Sequence, residues 1–165
     1  MIFIGIGANL PSMRFGAPLN ACQAACKCIE NIDGVDVLAR SLWYESAPVP
    51  LSDQPWFVNG VISINTDLGA EALLMALHVI ESEFGRVRGT RNAPRVLDLD
   101  LLAYEDKVNV QNSPKIPHPR LSERAFVVLP LAEIAPGWVH PQSGENIEVL
   151  VGKLPKDQIC RPLPP

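Results

Sequence analysis

Five consecutive residues, Leu97-Asp98-Leu99-Asp100-Leu101, alternate apolar and acidic side chains. Successive side chains of a strand point to opposite faces, so the run predicts a strand with leucines on one face and both carboxylates on the other. The chain must then build a core against one side of this strand and accommodate two neighbouring acids on the other. Side chains two residues apart on a strand are separated by about 6–7 Å, and two carboxylates that close do not both ionise easily without a cation between them. Hard oxygen ligands at this spacing suit magnesium, which takes one or two carboxylates and completes its shell with water and phosphate oxygens. Taken alone, the pair also fits the polar outer face of a half-exposed strand.

Just upstream, Arg86, Arg88, Arg91 and Arg95 fall within ten residues that hold no acid, and Arg120 and Arg124 follow. The formal net charge is −4, so this arginine segment points to a local anion site and not to a broad basic face. A solvated charged loop has the same composition. Guanidinium groups meet phosphate oxygens in a bidentate fork, and a metal pair beside them is what a polyphosphate needs. Neither common nucleotide motif accompanies them. Gly5-Ile6-Gly7-Ala8-Asn9-Leu10 begins like a dinucleotide fingerprint but has Leu10 at the third glycine position, and it lacks the Gly-Lys-Ser/Thr end of a P-loop. Its glycines are expected to permit a close turn at a strand end. His78 and Glu81 lie at the edge of a helical apolar stripe, where an exposed surface pair and a ligand contact are both open readings. His118, between Pro117 and Pro119, sits on a stiffened turn that aims a ring at low entropic cost, or is a surface residue.

Residues 2–8 read as a buried strand. Leu19, Cys22, Cys26 and Ile29 recur at helical spacing within 18–32, and Asp33-Gly34 closes that helix. Residues 35–44 and 56–65 are the second and third strands. The clearest helix spans 70–84, with a stripe of Leu73, Leu74, Leu77, Ile80 and Phe84 stopped by Gly85. Residues 96–104 form the fourth strand. The order βαββαβ predicts an α+β, ferredoxin-like fold, an antiparallel sheet with helices packed on one face. A short hairpin at 107–110, a proline-rich turn at 114–119, an apolar helix at 126–134 and a short C-terminal extension complete the expectation. Many of the sixteen prolines fall in this last part and stiffen it.

A chain of 165 residues, 47% of them apolar, fits one domain over 1–165 with a real core. No apolar run is long enough to cross a bilayer, and Met1-Ile2-Phe3-Ile4 lacks the basic stretch of a signal peptide. A cytoplasmic location is expected, with neither membrane nor nucleic acid as partner. Cys22, Cys26, Cys28 and Cys160 form no CxxC pair and have no nearby His, so they are expected to be small apolar fillers and not zinc ligands.

Taken together, the segments resemble the 6-hydroxymethyl-7,8-dihydropterin pyrophosphokinase family of folate biosynthesis. The matching runs are Gly7-Ala8-Asn9-Leu10, Gln54-Pro55-Trp56-Phe57-Val58-Asn59, Gly85-Arg86-Val87-Arg88 and Pro94-Arg95-Val96-Leu97-Asp98-Leu99-Asp100. Pro117-His118-Pro119-Arg120, Arg124-Ala125-Phe126 and Glu133-Ile134-Ala135-Pro136 complete the ordered set. Each run alone is weak, whereas the set in this order is specific. Where relatives often carry a tryptophan before the Pro-Arg pair, this chain has Asn92-Ala93, and Ala8 stands where serine is frequent.

The resemblance implies transfer of the terminal diphosphate of ATP to the hydroxymethyl group of a reduced pterin, releasing AMP. It implies that Asp98 and Asp100 hold two magnesium ions on the ATP phosphates. Arg86 and Arg95 match phosphate-contacting positions, and Arg88 and Arg91 fall in a lid. His78, Glu81, His118 and Arg124 match the nucleotide side. Ser46, Ala47, Pro48 and Val49 match the loop that lines the pterin pocket, Asn59 a pterin hydrogen-bonding position, and Phe57 and Phe126 the rings that sandwich the heterocycle. A flat heteroaromatic gains most from stacking on both faces, although either phenylalanine alone would also serve as core. No side chain is assigned as general base, with Asp100 the nearest candidate. The expected enzyme is a monomer whose partners are ATP and 6-hydroxymethyl-7,8-dihydropterin. Two rival classes share parts of the pattern: a ferredoxin-like nucleic-acid module, which lacks its aromatics on adjacent strands here, and a two-metal hydrolase.

Overall fold

The computed structural model describes residues 1–87, 89 and 91–165. Its elements are β1 (Ile2–Ala8), α1 (Pro18–Glu30), β2 (Val35–Arg40), β3 (Tyr44–Ser46), β4 (Phe57–Thr66) and α2 (Ala70–Glu83). They continue with β5 (Asp98–Tyr104), a single 3-10 turn at Leu121–Glu123, α3 (Ala125–Ile134), α4 (Ile147–Lys153) and β6 (Cys160–Pro162). The sheet runs β5-β1-β4, with β2 and β3 end to end along the far edge of β4 and β6 beyond β3. Every pairing is antiparallel. With β2 and β3 counted as one broken strand, this is the ferredoxin-like α+β order expected from the sequence.

The alternation in the strands decides which layer each helix joins. Ile4, Ile6, Ile62, Ile64, Leu99 and Leu101 are buried together with Ala21, Cys22, Ala25 and Ile29 of α1 and Leu73, Leu77 and Ile80 of α2. Burying side chains of this size contributes about 1.5–3 kcal/mol each. Pro18 opens α1, where the missing N–H costs nothing. Gly85 ends α2 with φ +85°, a conformation that other residues adopt only under strain. The cysteines are free, and burial raises the Cys22 and Cys26 thiols, the latter to about 11. This is the behaviour of fillers.

The helices do not all lie on one face, contrary to the sequence expectation. Phe3, Val61 and Leu102 point to the opposite side of the sheet, where Val127, Val128 and Leu131 of α3 and Ile147 and Leu150 of α4 cover them. α3 is apolar on most of its sides, so its pattern records burial without saying against what.

Two further expectations change. The strand expected over 35–44 leaves the ladder at Ser41, whose hydroxyl accepts the Val61 N–H at 3.0 Å, and pairing resumes at Tyr44. Between them the Trp43 ring crosses Gly60 so closely that a Cβ there would meet it at 2.8 Å. In place of a hairpin at 107–110, Asn109 makes a lone bridge to Ile116. The intervening Pro114 has no N–H with which to extend a ladder.

Candidate active site

β5 carries out the alternation that its sequence demands: Leu99 and Leu101 enter the core, and Asp98 and Asp100 face the α3 side. Opposite them in β1 stand Gly7 and Gly5, respectively. The glycines lie within the strand and not in the strand-end turn expected for them. Their missing side chains leave the sheet face beside the two carboxylates open, forming a small hollow with Asn59 and Phe126.

The arginines converge on the first carboxylate. Arg86 Nη1 lies 2.6 Å from Asp98 Oδ1, and Arg95 Nη1 lies 2.5 Å from Asp98 Oδ2. Arg86 also pairs with Glu81, which is 2% exposed and accepts the Leu99 N–H at 2.8 Å. The exposed-surface reading of Glu81 is therefore excluded, because this carboxylate ties α2 to β5 and to the arginine segment. His78, one turn earlier, also lines the cleft described below.

Asp100 is less well matched. The nearest Arg124 nitrogen is 3.8 Å away. Burial and the neighbouring Asp98 push its carboxyl up to about 7, against the opposing pull of Arg124 and Arg95. Burial, aided by Arg124, drives the His118 imidazole down to about 4. This ring is neutral at neutral pH, and its Nδ1 accepts the Arg120 N–H at 3.1 Å.

Two cavities meet here. One is largely apolar, walled by Ala47, Pro48, Val49 and Pro50 and by Phe57 and Phe126, with Gly7 and Asn59 also lining it. Both phenylalanines are half-buried and line the cavity, and Phe126 also packs against the core on the α3 side of the sheet. Ser46 does not line this pocket; it accepts a 2.7 Å hydrogen bond from the buried Asn59 amide and so orients it. The other cavity is a polar cleft lined by His78, Glu81, Arg86, Arg91, Asp100, His118 and Arg124. Asn92, Arg95, Asp98 and Arg124 line both. Arg88 lies outside the described residues.

Several residues not singled out from the sequence also contribute. Leu74, part of the α2 stripe, is half-buried and lines the cleft with Lys115, while Pro50 and Ser52 line the apolar pocket. Asn9, 1% exposed, accepts the Arg95 N–H at 2.8 Å and donates to Gln54 Oε1 at 3.1 Å and to the Pro55 carbonyl at 3.0 Å. Gln54 in turn donates to the Asn92 carbonyl at 2.7 Å. Only the position of Asn9 in the Gly-Ala-Asn-Leu run hints at this linkage.

Among the described residues, no group of three or more His, Cys, Asp or Glu is arranged to enclose a metal ion. Two carboxylates on one strand face instead fit a hard cation that draws its remaining ligands from a phosphate-bearing substrate.

The comparisons with known proteins agree with this geometry. A pyrophosphokinase of Synechocystis is 39% identical over 90% of this chain and 73% of its own length, and its name specifies 2-amino-4-hydroxy-6-hydroxymethyldihydropteridine. The Pseudomonas aeruginosa protein of the same name is 38% identical, over 97% of this chain and 95% of its own. The folic acid synthesis protein fol1 of Pneumocystis carinii is 39% identical over 99% of this chain, which spans only 21% of that longer protein. The family model of 7,8-dihydro-6-hydroxymethylpterin-pyrophosphokinase matches residues 3–136, a stretch that contains both cavities and the carboxylate pair. The chain belongs to the 7,8-dihydro-6-hydroxymethylpterin-pyrophosphokinase family.

Proposed function

We propose that the chain transfers the terminal diphosphate of ATP to the hydroxymethyl group of 6-hydroxymethyl-7,8-dihydropterin, releasing AMP and supplying the pterin diphosphate for folate biosynthesis. The observation that carries this reading is the shared wall. An apolar pocket walled by two phenylalanines and a polar, arginine-rich cleft have Arg95, Asp98 and Arg124 in common. A phosphate chain in the cleft therefore meets a ring substituent at that wall.

Phe57 and Phe126 would stack on the two faces of the pterin, with Asn59 hydrogen-bonding its edge. Ala47, Pro48 and Val49 would close the side of the pocket. In the cleft, Arg86, Arg95 and Arg124 would neutralise the phosphates and the departing AMP, while His78, Glu81 and His118 shape the nucleotide side. Arg88 and Arg91 would add to the lid. Asp98 and Asp100 would hold two magnesium ions, whose chemistry is to neutralise phosphate oxygens and acidify the attacking hydroxyl. In the transfer, a bond forms between the hydroxymethyl oxygen and the β-phosphorus and the α–β bridging bond breaks. The hydroxyl proton is lost, and AMP leaves in line.

Four free cysteines suit a reducing cytoplasm, and among the described residues no helix is long and apolar enough to cross a membrane. A monomeric form belongs to the same reading. Measuring AMP release from ATP with and without 6-hydroxymethyl-7,8-dihydropterin tests it. Pterin-dependent AMP is the expected result, whereas pterin-independent phosphate release would identify a hydrolase.

A further inference from the structure

The two walls of the apolar pocket come from distant parts of the chain, the 47–50 loop and the start of α3, and both are tied to one short C-terminal segment. The Ala47 N–H donates to the Ile159 carbonyl at 3.0 Å. One residue earlier, Gln158 Oε1 accepts the Ala125 N–H at 2.8 Å and Gln158 Nε2 donates to the Glu123 carbonyl at 2.7 Å. Ala125 opens α3, and the preceding Arg124 provides no side-chain cap. The first N–H groups of a helix have no acceptor within it, so Gln158 supplies one from 33 residues away. Its two bonds bracket Arg124, which approaches Asp100 and lies 5.5 Å over the Phe126 ring. β6 then pairs Cys160 with Ser46, the residue that orients Asn59.

We propose that Gln158 is a positioning residue for the ring-binding pocket. Resting on the pterin reading above, Gln158 and β6 set the separation between the 47–50 loop and Phe126, and hence the fit of a flat heterocycle, without Gln158 touching the substrate. This clamp lies beyond residues 3–136 that match the family model, so it is contributed by the C-terminal part of this chain.

Gln158→Ala and Gln158→Glu, assayed with each substrate varied separately, test the assignment, with the exchange of the Ala125 and Phe126 amides followed in parallel. Gln158→Ala should raise the pterin KM about fivefold, the size of one net hydrogen bond, leave the ATP KM near wild type and speed exchange at Ala125. Gln158→Glu keeps the acceptor for the Ala125 N–H and should move the pterin KM back toward wild type. An unchanged pterin KM in Gln158→Ala overturns the proposal. So does a joint change of both KM values, kcat and Tm, which marks ordinary scaffold. If the wild-type protein makes no AMP with the pterin, the activity reading fails separately. The clamp is then judged on amide exchange, where an unchanged rate at Ala125 overturns it and a faster rate supports it.

Discussion

Gly7 and Asn59 face each other across the β1–β4 ladder, and a Cβ at Gly7 would come 3.0 Å from Asn59 Oδ1. Asn59 cannot retreat freely, because its amide is buried and bonded to Ser46. Gly7→Ala should therefore displace the amide that lines the ring pocket. Overpacking of this kind costs about 1–3 kcal/mol, so the pterin KM should rise by roughly 5- to 150-fold, with the ATP KM little changed. Steady-state kinetics at saturating co-substrate checks this, and an unaltered pterin KM would show that Asn59 does not meet the ring.

The two carboxylates of β5 should respond to neutralisation with opposite signs. Asp98 is clasped by Arg86 and Arg95, so Asp98→Ala leaves two partly buried guanidinium groups without it and should lower the Tm of the ligand-free protein. Asp100 sits where its charge is disfavoured, so Asp100→Asn should raise that Tm at pH 8 by roughly 2–4 °C for each kcal/mol gained. Both variants should lose turnover by about 10²–10³-fold, the scale of a removed electrostatic contact in such sites. Differential scanning calorimetry and an AMP assay separate the two effects. Near wild-type turnover in either variant would sink the metal-binding assignment.

The pH dependence of stability should contain two opposed contributions. The Asp100 carboxyl rises from 3.8 to about 7 on folding, so between those values the folded protein binds more protons and stability falls as pH rises. His118 drops from 6.5 to about 4, so there the unfolded chain binds more protons and stability rises with pH. The two slopes offset each other over about pH 4–6.5 in the ligand-free protein. His118→Gln should expose the falling slope and Asp100→Asn the rising one, as read from urea midpoints at several pH values. Parallel profiles for the two variants would contradict this pair of assignments.

Arg95 lines both cavities, and its backbone is held by Asn9. Arg95→Ala should reduce kcat by about 10²-fold while changing the ATP KM far less, as expected of a group that acts on charge developing in the transition state. Phe126→Ala should do the reverse, raising the pterin KM by about 2- to 10-fold through lost stacking. Exchange of these two patterns would invert the roles proposed for the cleft and the pocket.

Chelation offers a direct check on the cation. Among the described residues no three His, Cys, Asp or Glu side chains are arranged to enclose an ion, and Glu81 is engaged by Arg86 and the Leu99 N–H, so an ion held by Asp98 and Asp100 would depend on the substrate phosphates. EDTA should abolish AMP formation and weaken ATP binding while leaving the ligand-free Tm within about 1 °C, since no folding energy rests on an open site of this kind. A large loss of Tm on chelation would instead indicate a structural metal.

Local pattern settled much of this protein. The Leu-Asp alternation alone placed Asp98 and Asp100 on one strand face, since the side-chain period of a strand is two. The stripe from Leu73 to Phe84 and the stop at Gly85 defined α2 almost to the residue. The ordered family motifs, being contiguous runs, contain part of the lining of both cavities, including Phe57, Asn59, Arg86, Arg95, Asp98, Asp100, His118, Arg124 and Phe126, whereas Leu74, Lys115, Pro50 and Ser52 lie outside them.

What the chain alone left open depends on partners far away in sequence. That Gly5 and Gly7 open the sheet beside the carboxylates, and do not form a turn, follows from β1 pairing with β5. That Glu81 is buried follows from Arg86 pairing with it and from the Leu99 N–H reaching it from beyond the arginine segment. α3 carries no sign of which sheet face it covers, and Gln158 has no local reason to cap a helix 33 residues upstream. Local spacing determined β1, β4, β5, α1, α2 and the chemical groups, because periodicity is written within a few residues, whereas α4, β6 and the break between β2 and β3 were not legible in it. Only tertiary packing decided which of those groups became desolvated neighbours, and desolvation is what sets the charge states of Asp100 and His118.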